Sequence, residues 1–368
     1  MNGHQSPKKG PCERVVYDGK TERTMRVDYF PPFLDCPICG SSRIQPRLKI
    51  NYWRENALSF SECDECRACF ANPMPSSELI TRGNEALVKW YQQGRTYEAE
   101  MRDARQAYLR GKLLARRLKR IRRRGTLLDV GCYNGFLLLG VKDHCDWTVE
   151  GVEISNELSD FIRDKLGITC HNGILEDLQL PANKYDFILC HDLIEHINQP
   201  VQFLKEIARI LAPQGQIQLI TPNALQDLAF AKRAYDRGTP ITMVLNHILL
   251  FSPHALRIAL EKSGLHVRKL YCYDVRYALR DFGVFGLGDA GGVTEGPSME
   301  DALKLSTQNS NQKKPEWSLE MLSELRTHPK VSSFYGFIRE TLPRLFQLRV
   351  PEKIGVGHEI LAIAEKQR

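Results

Sequence analysis

Four cysteines set the first chemical constraint. Cys36-Pro37-Ile38-Cys39 and Cys63-Asp64-Glu65-Cys66 are two C-x-x-C turns with 23 residues between them. Each turn points two thiols at one place, and two turns at this spacing are a signature of a tetrahedral zinc site. With cysteine in all four positions no coordination place is open to a substrate, so the chemistry is structural. A second group begins at Asp129-Val130-Gly131-Cys132-Tyr133-Asn134-Gly135. Its glycines let a ligand approach the backbone closely and accept positive φ without strain. Glu153 stands 18 residues beyond Gly135. An acid there is placed to accept hydrogen bonds from both ribose hydroxyls of an adenine nucleoside. A third group is His191, His196 and His247, and histidine is the side chain whose ordinary pKa best suits a base near neutrality.

These groups need elements to hold them. Leu127 to Val130 reads as a buried strand that breaks into the glycine turn. A helix follows from near Asn134, with Phe136, Leu137, Leu138 and Val141 as its apolar face. Further strands are expected at 148–152, 168–171, 187–190, 216–220 and 267–273, with helices between them. Alternation of this kind predicts an α/β fold with a parallel sheet, and ligands bind at the carboxyl edge of such sheets. Between the cysteine pairs, 44–52 and 59–62 read as short strands, which need a metal because so small a segment buries too little apolar surface.

The segments, in this order, resemble the class I S-adenosylmethionine-dependent methyltransferases, in particular the subgroup related to ubiquinone and menaquinone biosynthesis. The resemblance is carried by Asp129-Val130-Gly131-x-x-x-Gly135, Glu153, Tyr185-Asp186-Phe187 and Asp192-x-x-Glu195-His196. It continues through Leu211-x-Pro213-x-Gly215, Thr221-Pro222-Asn223, Phe251-Ser252-Pro253-His254-Ala255-Leu256 and Ser263-Gly264-Leu265. It covers about 126–270 and a last strand near the C-terminus. It implies a Rossmann-like seven-stranded sheet, here with an N-terminal zinc ribbon and a C-terminal helical insert, the last strand being antiparallel. The sequence departs from the family pattern at Tyr133 and Asn134, where small residues are usual; a bulky Tyr133 closes over the cofactor or narrows the turn.

The resemblance implies that S-adenosylmethionine is held by Asp129, Gly131, Tyr133, Gly135, Glu153, Ile154, Leu175 and His191. It implies His191 and His247 as catalytic groups, and Tyr91, Tyr97 and Asn223 at the acceptor. Relatives with this ribbon place Cys36, Cys39, Cys63 and Cys66 on the zinc and Cys69 in the strand leading to Asn72-Pro73. Asp192, Glu195 and His196, joined by His247, resemble a magnesium site of some O-methyltransferases, which lowers the pKa of acceptor hydroxyls.

The domain boundaries expected are a tail over 1–30, the ribbon over 31–76, a helical cap over 77–125, the core over 126–274, a loop and helical insert over 275–352, and a C-terminal strand over 353–368. Within the insert, 283–314 reads as a loop or lid. The chain of 368 residues has 42% hydrophobic and 26% charged content, as an ordinary globular protein does. No apolar run is long enough for a membrane span, and the first ten residues lack the apolar core of a signal peptide. A cytoplasmic location is expected, where eleven cysteines serve as thiols and ligands rather than a disulfide framework. The net charge of +7 permits an anionic partner. Ten basic residues between Arg105 and Arg124 describe a solvated helix face, a site for an anionic acceptor such as a nucleotide-linked sugar, or an RNA surface. The leading reading is a methyltransferase acting at oxygen on a small-molecule or glycan-linked acceptor. The alternatives are an RNA methyltransferase using the ribbon and basic helix, and a non-catalytic zinc-ribbon interaction protein.

Overall fold

The computed structural model describes residues 13–17, 22–26, 30–52, 56–77, 79–81, 96–224, 228, 247–273, 322–323, 325–326, 350–351 and 359–366. Near the N-terminus β1 (Glu13–Tyr17) and β2 (Glu22–Arg26) pair antiparallel, where the sequence suggested a tail with a short extended piece. In the ribbon, β3 (Ile44–Tyr52), β4 (Asn56–Cys63) and β5 (Cys69–Ala71) form an antiparallel sheet.

A long helix, α1 (Tyr97–Ile121), leads into the core. Thr96 caps it by accepting from the Ala99 N–H at 3.3 Å, and Glu98 and Glu100 in its first turn suit the helix dipole. Its buried face is Met101, Ala104, Tyr108, Gly111, Ala115 and Leu118, at three- and four-residue steps. After it come β6 (Thr126–Val130), α2 (Phe136–Lys142), β7 (Thr148–Glu153), α3 (Asn156–Asp164), β8 (Thr169–Asn172) and β9 (Tyr185–His191). Then follow α4 (Pro200–Ile210), β10 (Leu211–Pro222), β11 (Leu249–Leu250), α5 (Pro253–Lys262) and β12 (Leu265–Tyr273), and lastly β13 (Val350–Pro351) and β14 (Glu359–Lys366).

The sheet order is β8-β7-β6-β9-β10-β14-β12-β13. The first five of these run parallel, and β14 is inserted antiparallel between β10 and β12. This is the seven-stranded arrangement expected, lengthened at one edge by the two residues of β13. Alternate strand residues feed two cores. Leu128, Val130, Ile188 and Cys190 face α4, α5 and the ribbon, while Leu127, Phe187 and Leu189 face α1, α2 and α3. Leu322 and Leu325 of the helical insert pack into the second core. The rest of the insert, including the 283–314 loop, lies outside the described residues. The order reverses at β6, which has β7 on one side and β9 on the other, so the crevice at its carboxyl end is the place for a nucleotide-like ligand.

Helices α1 and α2 cross at glycine. A Cβ on Gly140 would lie 2.1 Å from the Tyr108 carbonyl oxygen, and one on Gly111 would lie 2.1 Å from that of Leu137. Both obstacles are backbone, which no rotamer change relieves. Gly140→Ala is expected to cost about 3 kcal/mol, read as a lower denaturant midpoint.

Glu150, buried in β7, accepts from His171 Nε2 at 2.9 Å, from Lys184 Nζ at 2.8 Å and from the Tyr185 hydroxyl at 2.9 Å. Burial pushes its carboxyl up, but the three donors outweigh it and hold the group at about 2. A depressed carboxylate pKa gives stability that is fully present above the unfolded value and is lost as pH falls toward the folded one. The protein is therefore expected to lose on the order of 3 kcal/mol between about pH 4.5 and pH 2 through this group. Glu150→Gln should flatten that part of the acid-unfolding curve; an unchanged slope would remove Glu150 from the account.

Candidate functional site

The four cysteine sulfurs meet. Each lies within 4.8 Å of the others, with Cys36 Sγ 3.6 Å from Cys66 Sγ and Cys39 Sγ 3.4 Å from Cys63 Sγ. Tetrahedral ligation at about 2.3 Å per Zn–S bond requires sulfur–sulfur distances of about 3.8 Å. Tight turns bring them together: Gly40 N–H donates to the Cys36 carbonyl and Arg67 N–H to that of Cys63, both at 2.9 Å. The hydrogen bond between Cys66 and Cys36 lowers the Cys36 thiol despite its burial. Cys69 opens β5, outside this group, where burial raises its thiol to about 12.

At the carboxyl edge the glycine turn has the conformation its residues predict. Gly131 and Gly135 have φ of 77° and 71°. A Cβ at Gly135 would also come within 2.8 Å of Ile162. Tyr133 takes φ 50° and is 43% exposed. Its N–H donates to Glu153 Oε2 at 2.9 Å, and Ser155 N–H donates to Oε1 at 3.0 Å. Burial raises the Glu153 carboxyl. Burial, and then the charge of Glu153, push Asp129 up to about 7. Two buried acids with each other for company fit a ligand that brings hydroxyl donors and positive charge, as a sulfonium-bearing adenosine does.

The loop after β8 lies beside this pair. Gly173 N–H donates to the Glu153 carbonyl at 3.1 Å, and Asn172 Nδ2 reaches the carbonyls of Glu153 and Ile154 at 3.0 and 3.1 Å. Leu175 is buried in a short 3-10 turn. Ile154 and Ile174 stand apolar and 36% exposed at the two loops, an apolar border suited to a flat ring.

His191 ends β9. Arg117 donates to Gln218 Oε1, which fixes that amide, so Gln218 Nε2 donates to His191 Nε2 at 3.0 Å. Burial first, then the Arg110 guanidinium, lower His191 to about 4. It is neutral at physiological pH, with the Nε2 lone pair already engaged. Arg117 also lies over the Phe187 ring, and Arg122 pairs with Asp186. Of the two, Arg117 is partly buried and Arg122 is exposed.

The turn after β9 brings a second site together. Leu193 packs 3.3 Å from where a Cβ of Gly131 would be, so this turn abuts the glycine turn. Two residues on, Glu195 is buried; Thr221 donates to its Oε2 at 2.9 Å, and His247 Nε2 lies 3.9 Å from its Oε1. Burial raises this carboxyl to about 7, the His247 charge opposing the shift. The His196 and His247 rings are 5.1 Å apart, and Glu195, His196 and His247 each offer a ligand atom within 4.8 Å of the others. Asp192, expected in that set, is exposed at φ 49° and is not part of it.

The expected acceptor residues fare differently. Tyr97 opens α1 and is 39% exposed. Tyr91 lies outside the described residues. Asn223 is 1% exposed and donates to Cys272 Sγ at 3.8 Å, so its amide is engaged within the fold. Glu359, at the start of β14 opposite Pro222 and Tyr273, lies at the same edge of the sheet. Its carboxyl accepts from the Tyr273 hydroxyl, and burial raises it to about 7.

The family model for methyltransferase domains matches residues 101–270. A ubiquinone biosynthesis O-methyltransferase of Coxiella burnetii is 32% identical over 117 residues, 29% of this chain and 50% of that protein. A tRNA U34 carboxymethyltransferase of Campylobacter concisus is 29% identical over 120 residues, 31% of this chain and 41% of that one. The chain spans about half or less of the length of these relatives. A solved S-adenosylmethionine-dependent methyltransferase of Thermotoga maritima aligns over 74% of this chain and 95% of its own, with a TM-score of 0.42 and 18% identity. With the strand order, the glycine turn and its two acids, the matched segment identifies residues 101–270 as a class I S-adenosylmethionine-dependent methyltransferase domain.

Proposed function

We propose that the chain transfers a methyl group from S-adenosylmethionine to a hydroxyl oxygen of a small-molecule or glycan-linked acceptor, and that the ribbon holds a structural zinc ion. The observation that carries the reading is the buried Glu195–His247 pair on the turn that abuts Gly131. When bound, S-adenosylmethionine supplies an electrophilic methyl carbon. The chain supplies the rest: alignment at the glycine turn, a Glu153 carboxylate that accepts from the ribose hydroxyls, and a base at the acceptor. His247 takes the hydroxyl proton, and Glu195 orients the imidazole and stabilises its charge. The lowered basicity of His191 assigns it to the wall of the cofactor site rather than to the base.

Glu195, His196 and His247 also fit a divalent cation, which would hold an acceptor oxygen and favour its ionisation. Asp192 is left out of this set. The reading places the reaction in the cytoplasm, where the cysteines remain reduced. Among the described residues, no helix is long and apolar enough to cross a membrane.

RNA is the second acceptor to consider. The name of the Campylobacter relative and the basic helix support it, but Arg117 is engaged with Gln218 in a partly buried contact. Labelled S-adenosylmethionine offered with catechols, nucleotide sugars and tRNA separates the readings. Label on a small hydroxyl compound supports the proposal. Label on tRNA alone, with binding that falls steeply with salt, overturns it.

A further inference from the structure

The segment 247–252 belongs to two structures at once. Its β11 pairs antiparallel with β5 of the ribbon, Leu249 opposite Phe70 and Leu250 opposite Cys69. Ala71 N–H donates to the Ile248 carbonyl at 2.8 Å, while the N–H of the same Ile248 donates to the Glu195 carbonyl at 3.0 Å. Phe251 bridges to Asn223 at the end of β10, and its carbonyl accepts from Ala224 N–H at 2.8 Å. His247 through Ser252 are all buried. The imidazole therefore sits on a strap whose outer edge is the ribbon's fourth strand and whose inner edge is the Glu195 turn.

Ser252 closes the strap. Its hydroxyl donates to the carbonyl of Cys66, one of the four clustered cysteines, at 2.7 Å and accepts from Ala255 N–H at 3.0 Å, capping α5. A single buried hydroxyl thus joins a cysteine turn, the strap and a core helix. The end of α5 returns to the other cysteine turn, where Lys262 Nζ donates to the Cys39 carbonyl at 2.5 Å. None of these contacts reaches Asp129, within β6, or Glu153, the last residue of β7.

We propose that the four-cysteine ribbon is a positioning part of the acceptor site, holding His247 against Glu195 through the 247–252 strap, with Ser252 as the positioning residue that couples them. The inference rests on the reading of Glu195 and His247 as the acceptor-side pair. It makes the ribbon a condition for the geometry of catalysis as well as a folding aid. It also separates the two halves of the reaction: loosening the ribbon impairs acceptor chemistry and spares the cofactor site.

The test compares full-length wild type, Ser252→Ala and Ser252→Thr, each checked for zinc content. Hydrogen exchange of the 247–252 amides, the carbon-bound ring protons of His247 by NMR, and calorimetric binding of S-adenosylmethionine are measured on each. In Ser252→Ala, exchange of the Ile248 amide is expected to rise by about fivefold to tenfold. The His247 resonance should shift, and cofactor affinity should stay within about twofold of wild type. Ser252→Thr keeps both hydrogen bonds and should restore the wild-type pattern. A catechol acceptor, where it is turned over, should show a fall in kcat with unchanged KM for the cofactor. Unchanged exchange and resonance in Ser252→Ala overturn the proposal, as does faster exchange without any change in kcat. Equal loosening of the 126–190 amides overturns it too, because the effect would then be general. If wild type methylates nothing, the acceptor reading fails, and exchange alone decides whether the ribbon holds the strap.

Discussion

His247→Ala is expected to lower kcat by about two to four orders of magnitude, with the affinity for S-adenosylmethionine unchanged. The size follows from the position of the residue. The imidazole is buried with Glu195 Oε1 3.9 Å from its Nε2, and the turn carrying Glu195 touches the glycine turn through Leu193. Removing it takes away the base and leaves a raised, buried carboxyl without the imidazole that opposes its shift. His247 is distant in sequence from Asp129 and Glu153, and none of the contacts that hold its strap reaches them. His191→Ala is the informative comparison. Its Nε2 already accepts from Gln218, and its pKa is about 4, so its loss should act mainly through cofactor affinity. A His191→Ala variant with the larger fall in kcat would reverse the two assignments.

Glu153→Ala is expected to weaken S-adenosylmethionine binding by about two to three orders of magnitude. One carboxylate here does two jobs. It accepts from Tyr133 N–H at 2.9 Å and Ser155 N–H at 3.0 Å, which shapes the turn and the start of α3. Its remaining lone pairs are available to the ribose. Truncation leaves two backbone donors unmatched in a buried place, and that penalty adds to the lost ligand contacts. Glu153→Gln keeps one acceptor oxygen and should fall between wild type and alanine. Calorimetry reads all three, and equal affinities would remove Glu153 from the site.

Much of this site could be read from the chain because its signals are local. Asp129, Gly131 and Gly135 sit within seven positions, and the positive φ of both glycines is what a strand breaking into a ligand-binding turn requires. Glu153 followed from the length of one helix and one strand. Spacing marked the cysteine group, and the family resemblance left Cys69 out of it. What was missed depends on contacts between distant segments. The resemblance joined Glu195 to His247 across about fifty positions, but β11, which carries the strap, is two residues long, too short to show a period. Arg117 read as solvated or nucleic-acid-facing because a basic run has no direction in sequence; its partner Gln218 is supplied by β10. Asp192 looked like a ligand by its motif, but its left-handed backbone leaves it out of the set that Glu195, His196 and His247 form. Asn223 looked substrate-facing by its place after β10, yet its amide is engaged with Cys272 of β12.

The central claim is that the crevice at the end of β6 binds S-adenosylmethionine through Asp129 and Glu153. Calorimetric titration of the full-length protein with S-adenosylmethionine and S-adenosylhomocysteine, beside an Asp129→Ala/Glu153→Ala double variant, tests it most directly. Micromolar binding of both ligands to the wild type, lost in a double variant that retains its fold and zinc content, is the predicted result. A wild-type protein that is folded and zinc-loaded yet binds neither ligand would contradict the account and return the chain to the reading of a zinc-ribbon interaction protein.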